Sequence, residues 1–298
     1  MKKSGGKEAT WAAVFFLVSL VVLFVILELL MSVFNPVGAL PVFPKNDFEK
    51  TVAANGSSDF DRIFYGGSNV FAAYIESSST SGYVDFGLEY GKVIYLLTML
   101  EDGYITVSDG IVLGLNYFTF MDALTTNPGY IWHRDDFELY SLFYQNRIKN
   151  FFTGAVDNII NGRFHIDLYD DIDKTRFYGV WTEERLERRI ANHERLYWQL
   201  QLSAFEGNLA AFRQLVDYCE ENDIRLRAVW MPYSPYSPVP DIYIELMTVV
   251  NALMTAHGID FIDMTNSFPQ EYFLDLSHMN YDIGAVAFTR EIDLWLAS

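Results

Sequence analysis

Cysteine is nearly absent from this 298-residue chain, with Cys219 the sole example. That excludes an intramolecular disulfide and any cysteine-based metal cluster. Positive charge is scarce too: 21 Lys and Arg stand against 39 Asp and Glu, for a formal charge of −18. Such a balance argues against nucleic-acid binding and for a well-solvated acidic surface. His133, His165, His193 and His257 show no metal-ligand spacing; His193 reads as one of many surface charges and His257 as a helix C-terminal charge. Y-D-D-I-D at 169–173 lacks the glycine and closing glutamate of a calcium loop and reads as an acidic bend. No metal or cofactor is expected.

Long apolar runs are confined to one place. Trp11 to Phe34 contains a single charged residue, Glu28, and at about 1.5 Å per residue spans roughly the 30 Å hydrocarbon layer. Residues 1–10 form a short tail carrying Lys2, Lys3 and Lys7, whereas the acidic bulk follows the run; this charge asymmetry predicts the N-terminus inside and the remainder outside. A cleaved signal peptide is the alternative, but the run is long for one and no A-x-A-like site follows closely. Glu28 either reaches the headgroups from the outer end of the span or faces another protein. Residues 35–60, with prolines, glycines and no period, read as a stalk.

Residues 61–298 alternate between strand and helix patterns. The strand candidates are 62–65, 83–87, 110–116, 224–232 and 259–264, with helical spacing between most of them. The near-continuous apolar run G-I-V-L-G-L-N suits a buried parallel strand, so the expected class is α/β. Residues 119–205 break the rhythm and read as a helical insert. Ala285, Phe288, Ile292 and Trp295 recur at helical spacing and predict a final helix docked on the sheet.

Two short stretches carry potential chemistry. I-F-Y-G-G-S-N (63–69) presents Ser68 where a strand would hand over to a helix, at the sheet edge where ligands of α/β proteins gather. D-L-S-H (275–278) puts a carboxylate three residues before an imidazole, a spacing that lets Asp275 orient His278 while the other ring nitrogen faces a serine. The plainer alternatives are a Gly-Ser turn with an N-cap serine, and an acidic loop with a capping histidine. G-G-S-N-V is not a G-x-S-x-G elbow, which disfavours the α/β-hydrolase fold. Trp230, Tyr233 and Tyr236 lie in an aromatic-proline loop leaving a strand end; they are candidates for stacking on sugar rings, or else packing devices.

These stretches resemble the SGNH (GDSL-like) hydrolases, over roughly residues 60–298 apart from the insert. The resemblance implies a three-layer α/β/α domain with a parallel sheet and a triad of Ser68, His278 and Asp275. It further implies an oxyanion hole from the Gly87 N–H and the Asn116 side chain, the latter in G-L-N-Y matching the family's G-x-N-D block. Gly67 and Tyr117 depart from the family, each standing where an aspartate is usual. The anchor and the G-G-S-N variant look most similar to the envelope acyl-transfer branch, which includes DltD-like proteins of teichoic-acid D-alanylation and alginate or peptidoglycan O-acetylation proteins. That implies a serine O-acyltransferase acting on an envelope glycopolymer, fed by a multi-span membrane-bound O-acyltransferase partner. An esterase acting on such a polymer and a non-catalytic scaffold are the alternatives.

Overall fold

The computed structural model describes residues 5–34, 46–124, 126–127, 129–133, 140–143, 156, 160 and 176–298. The chain divides into two compact units, one of residues 1–45 and 129–170 and the other of 46–128 and 171–298.

The first unit is built on α1 (Gly5–Phe34), whose segment Thr10–Phe34 is long and apolar enough to cross a membrane. Its leucines, valines and phenylalanines are exposed, but Glu28 is only 8% exposed. A short helix, Tyr140–Phe143, supplies the reason: Glu28 Oε2 accepts the Ser141 backbone N–H at 3.1 Å. An N–H in the first turn of a helix has no intrahelical partner, so a carboxylate is a natural cap for it. Glu28 thus has a partner within its own chain.

The second unit is α/β. In chain order it contains α2 (Asp47–Asn55), β1 (Asp59–Gly66), α3 (Ser68–Ala73), β2 (Val84–Gly87), α4 (Val93–Glu101), β3 (Thr106–Leu115) and α5 (Tyr117–Phe120). There follow α7 (Glu183–Leu196), α8 (Glu206–Glu221), β4 (Arg225–Trp230), α9 (Asp241–Ala256), β5 (Asp260–Asp263) and α10 (Val286–Leu296), with α6 reserved for Tyr140–Phe143 of the first unit. All five expected strands form, and all pair in parallel in the order β2-β1-β3-β4-β5. The segment read as a stalk is shorter than expected. Asn46 caps α2 by accepting the Glu49 N–H at 2.9 Å, and Phe48 packs at 6.1 Å against Phe86 of β2, so 47–55 belongs to the folded unit. Residues 35–45, and much of the expected insert, lie outside the described residues.

Parallel strands buried on both faces need apolar side chains on both, which is why β1 and β3 end in unbroken buried runs. Phe64, Val112 and Val229 point to one face and meet Val70 and Ala73 of α3 with Phe288 and Ile292 of α10. Each such fully buried side chain contributes roughly 1.5–3 kcal/mol relative to exposure. On the other face Trp230 packs on Tyr243 of α9 at 5.7 Å and on Phe120 of α5 at 6.4 Å, and Phe120 continues to Phe212 of α8. Cys219 sits in this core, where burial pushes its thiol up to about 12, too high for a reactive thiolate.

The strand order positions the site. From β1 the chain moves outward to β2, then returns across β1 to β3 on its other side. Connections leave β1 and β3 in opposite directions, which opens a crevice at their carboxyl ends. Ser68 follows β1 and Asn116 follows β3.

Candidate active site

A cavity of about 540 Å³ lies at that crevice, lined among others by Ser68, Asn116 and His278. Ser68 Oγ is 2.8 Å from His278 Nε2, and His278 Nδ1 is 2.8 Å from Asp275 Oδ2. The chemistry of the partners assigns the protons. An ionised carboxylate only accepts, so Nδ1 carries hydrogen toward Asp275; Nε2 then holds the lone pair and the Ser68 hydroxyl donates to it. A serine, a histidine and an aspartate 210 and 3 residues apart therefore form one continuous hydrogen-bonded chain.

Local structure holds the two halves in place. Asp275 Oδ1 accepts the backbone N–H groups of Ser277 at 2.9 Å and His278 at 2.8 Å, closing a tight turn around the carboxylate. The Leu274 N–H donates to His278 O at 2.8 Å, and the Ser234 and Trp181 N–H groups donate to Leu276 and Leu274 carbonyls. The Phe177 ring lies 4.6 Å from that of His278 and limits its rotation. Burial by itself would raise the Asp275 carboxyl, but His278 and the two N–H groups outweigh it and hold it well below the usual carboxylate range.

The oxyanion side differs from expectation. The Gly87 N–H donates to Asp85 Oδ1 at 2.9 Å and is not available to a substrate. Gly87 is there for packing, since a Cβ would come within 2.6 Å of the Phe71 backbone N. Leu88, Glu89 and Gly91 also spend their N–H groups, on Gly66 O, the Asp47 carboxylate and Leu88 O. Tyr90, at φ 56°, lines the cavity, and its N–H has no partner among the described residues. Asn116 does reach the cavity. Its Oδ1 accepts the Thr119 N–H at 2.9 Å, which fixes the amide orientation and leaves Nδ2 as the group open to a ligand. Asn69, a residue not expected at the site, lines the same cavity; it is 3% exposed and neither amide atom has a partner among the described residues. Leaving such a group unpaired costs about 1–3 kcal/mol, and structures tend to retain it where a ligand uses it.

Neither a family model nor a curated protein matches the chain.

The aromatic loop is a correction. Trp230 is fully buried and donates its Nε1–H to Asn251 Oδ1 at 2.7 Å, and Tyr233 is 3% exposed. Neither lines the cavity, nor does the half-buried Tyr236. The loop packs instead: the Tyr233 N–H donates to Thr265 O and the Ser234 N–H to Leu276 O, bracing the turn that carries Asp275. His193 is a second correction. It is 2% exposed, shares a 3.1 Å hydrogen bond between its Nδ1 and the Tyr117 hydroxyl, and lines the cavity. Burial first, then the Arg189 charge, lower its imidazole to about 4, so it is neutral at pH 7. The surrounding charges of α7 concealed it, although helical spacing from Leu186 to His193 marks one face. Among the described residues no three His, Cys, Asp or Glu side chains gather where they could hold a metal ion. The acidic bend at 169–173 and His165 lie outside those residues.

Glycine at 91 presses the 88–91 loop onto the turn before Ser68. A Cβ there would lie 2.2 Å from the Gly66 carbonyl oxygen, a backbone atom that cannot swing aside. Gly91→Ala is expected to destabilise the protein by about 2 kcal/mol or more and to displace the Gly66–Gly67 turn. Thermal unfolding beside an ester-hydrolysis assay checks this; an unchanged melting temperature would show that the loop moves freely.

Proposed function

We propose that this chain is a membrane-anchored serine acyl-transfer enzyme of SGNH-like, three-layer architecture, acting on an ester of a cell-envelope glycopolymer. The observation that carries the proposal is the hydrogen-bonded sequence Ser68 Oγ, His278 Nε2, His278 Nδ1, Asp275 Oδ2 opening into a cavity. Ser68 Oγ attacks the acyl carbonyl as His278 takes its proton, and Asp275 stabilises the imidazolium that forms. The backbone N–H of Ser68 and Asn116 Nδ2 stabilise the oxyanion, with Tyr90 in the position on the 87–91 loop first given to Gly87. Collapse expels the leaving alcohol, which receives the proton from His278. A hydroxyl of the acceptor then attacks the acyl-enzyme, His278 again removing its proton, and Ser68 is released.

The charge asymmetry about the anchor supports a site outside the membrane, and on this reading a multi-span partner delivers acyl donors made inside. If water resolves the acyl-enzyme, the same residues make an esterase. A non-catalytic scaffold is the remaining reading. A fluorophosphonate is expected to label the detergent-solubilised chain at Ser68, mapped by mass spectrometry, and His278→Ala is expected to abolish labelling. Label found elsewhere, or undiminished by His278→Ala, removes the acyl-transfer reading and leaves the scaffold.

A further inference from the structure

The helix α7 is crowded with arginines, and all but one are accounted for. Arg185 lies over the Trp181 ring at 4.2 Å, Arg188 pairs with Glu184 at 3.7 Å, and Arg195 donates to Asn192 Oδ1 at 2.8 Å. Arg189 has no hydrogen bond or ion pair among the described residues, although the chain carries 39 carboxylates. It is also the α7 arginine that faces inward. Arg189 and His193 are four residues apart and share one face of α7, Tyr197 follows directly after its last residue, and all three line the cavity that holds Ser68 and His278. The residue is half-buried, and its charge is felt at His193, Tyr117 and Tyr233; His193 in turn senses Asp275 and His278.

A guanidinium without an ion pair in a concave site suits an anion that can accept from two of its N–H groups. Asp275 cannot serve, because both of its oxygens are already committed to His278 and two N–H groups. Lys50 of α2 is the other lysine or arginine of the lining, and the carboxylates of Asp47 and Glu89 line the cavity as well.

We propose that Arg189 is an anion-recognition point of this cavity, so that the ligand bound beside Ser68 carries a carboxylate or a phosphate. The idea rests on the acyl-transfer reading for the role of Ser68, but binding itself does not require turnover. A carboxylate and a phosphate each present a negative charge and at least two accepting oxygens to a guanidinium; the experiment separates them.

Calorimetric titration of the full chain in detergent micelles with trigalacturonate, glycerol 3-phosphate and maltotriose tests the proposal. At least one of the two anions is expected to bind more tightly than neutral maltotriose, with affinity falling as salt rises. Arg189→Gln is expected to weaken that anion's binding roughly tenfold to a hundredfold, and Arg189→Lys, which keeps the charge, by less. A response to trigalacturonate alone identifies a carboxylate ligand, and one to glycerol 3-phosphate alone a phosphate. Equal affinity for all three compounds, or an anion affinity unchanged in both folded variants, overturns the proposal. Loss of Ser68 labelling with anion binding intact would instead count against the acyl-transfer reading.

Discussion

Alanine at Ser68 is expected to lower hydrolysis of an activated aryl ester by about 10⁴-fold or more, and His278→Ala by a similar factor. The reason is the 2.8 Å Ser68–His278 contact: a serine hydroxyl is a weak nucleophile until a positioned base accepts its proton. Asp275→Asn is expected to cost roughly 10³–10⁴-fold while leaving the turn folded. An amide at that position can turn an N–H toward Nδ1, which favours the tautomer with hydrogen on Nε2 and removes the acceptor Ser68 needs. The double variant Ser68→Ala/His278→Ala is expected to be no worse than either single one, since groups acting as a unit fail together. Steady-state kinetics on purified variants, with thermal unfolding as the control for folding, measures all four. Losses that multiply in the double variant would mean that the two side chains act independently despite their contact, and wild-type-like turnover in Ser68→Ala would end the nucleophile assignment.

Sequence exposed those parts of the molecule whose physics is local. The buried strands β1 and β3 announce themselves because both faces must be apolar, and the Asp275–His278 turn because three residues suffice to bring carboxylate and imidazole together. What stayed hidden depends on contacts made after folding. The helix Asp47–Asn55 is short and carries few apolar residues, and its packing of Phe48 against Phe86 separates it from a stalk. Gly87 stands at the right strand end to donate to an oxyanion, yet Asp85, two residues earlier, folds back and takes the N–H. Trp230 followed by Tyr-Ser-Pro looks like an exposed aromatic loop until Asn251 on α9 supplies the indole's acceptor. His193 was read by its charged neighbours in sequence, whereas its environment is set by Tyr117, Phe118 and Tyr197, which enclose it.

That enclosure makes the fold acid-sensitive in a defined window. His193 is hydrogen-bonded to the Tyr117 hydroxyl, lies edge-on to the Phe118 and Tyr197 rings, and has Arg189, His278 and Asp275 as the charged or titratable groups acting on it. Burial and the Arg189 charge disfavour its protonated form, with Asp275 opposing, and the folded imidazole is brought down to about 4. In the unfolded chain the same ring protonates near 6.5. Between these two values the unfolded state binds a proton that the folded state does not, so stability falls as pH drops from about 6.5 and levels off near 4. At about 1.4 kcal/mol per pH unit this amounts to roughly 3 kcal/mol over the window. Asp275 acts in a different range: its folded carboxyl is depressed, so its contribution persists above the unfolded value of about 3.9 and is lost only below it. His193→Gln keeps an acceptor for Tyr117 but has no proton to gain. Urea unfolding of the full chain in detergent at several pH values between 7 and 4 is therefore expected to show a steep loss of stability for the wild type and a slope lower by about one proton for His193→Gln. Equal slopes for the two proteins would mean that His193 protonates in the folded state as readily as in the unfolded chain, and would contradict its buried, neutral position beside Ser68 and His278.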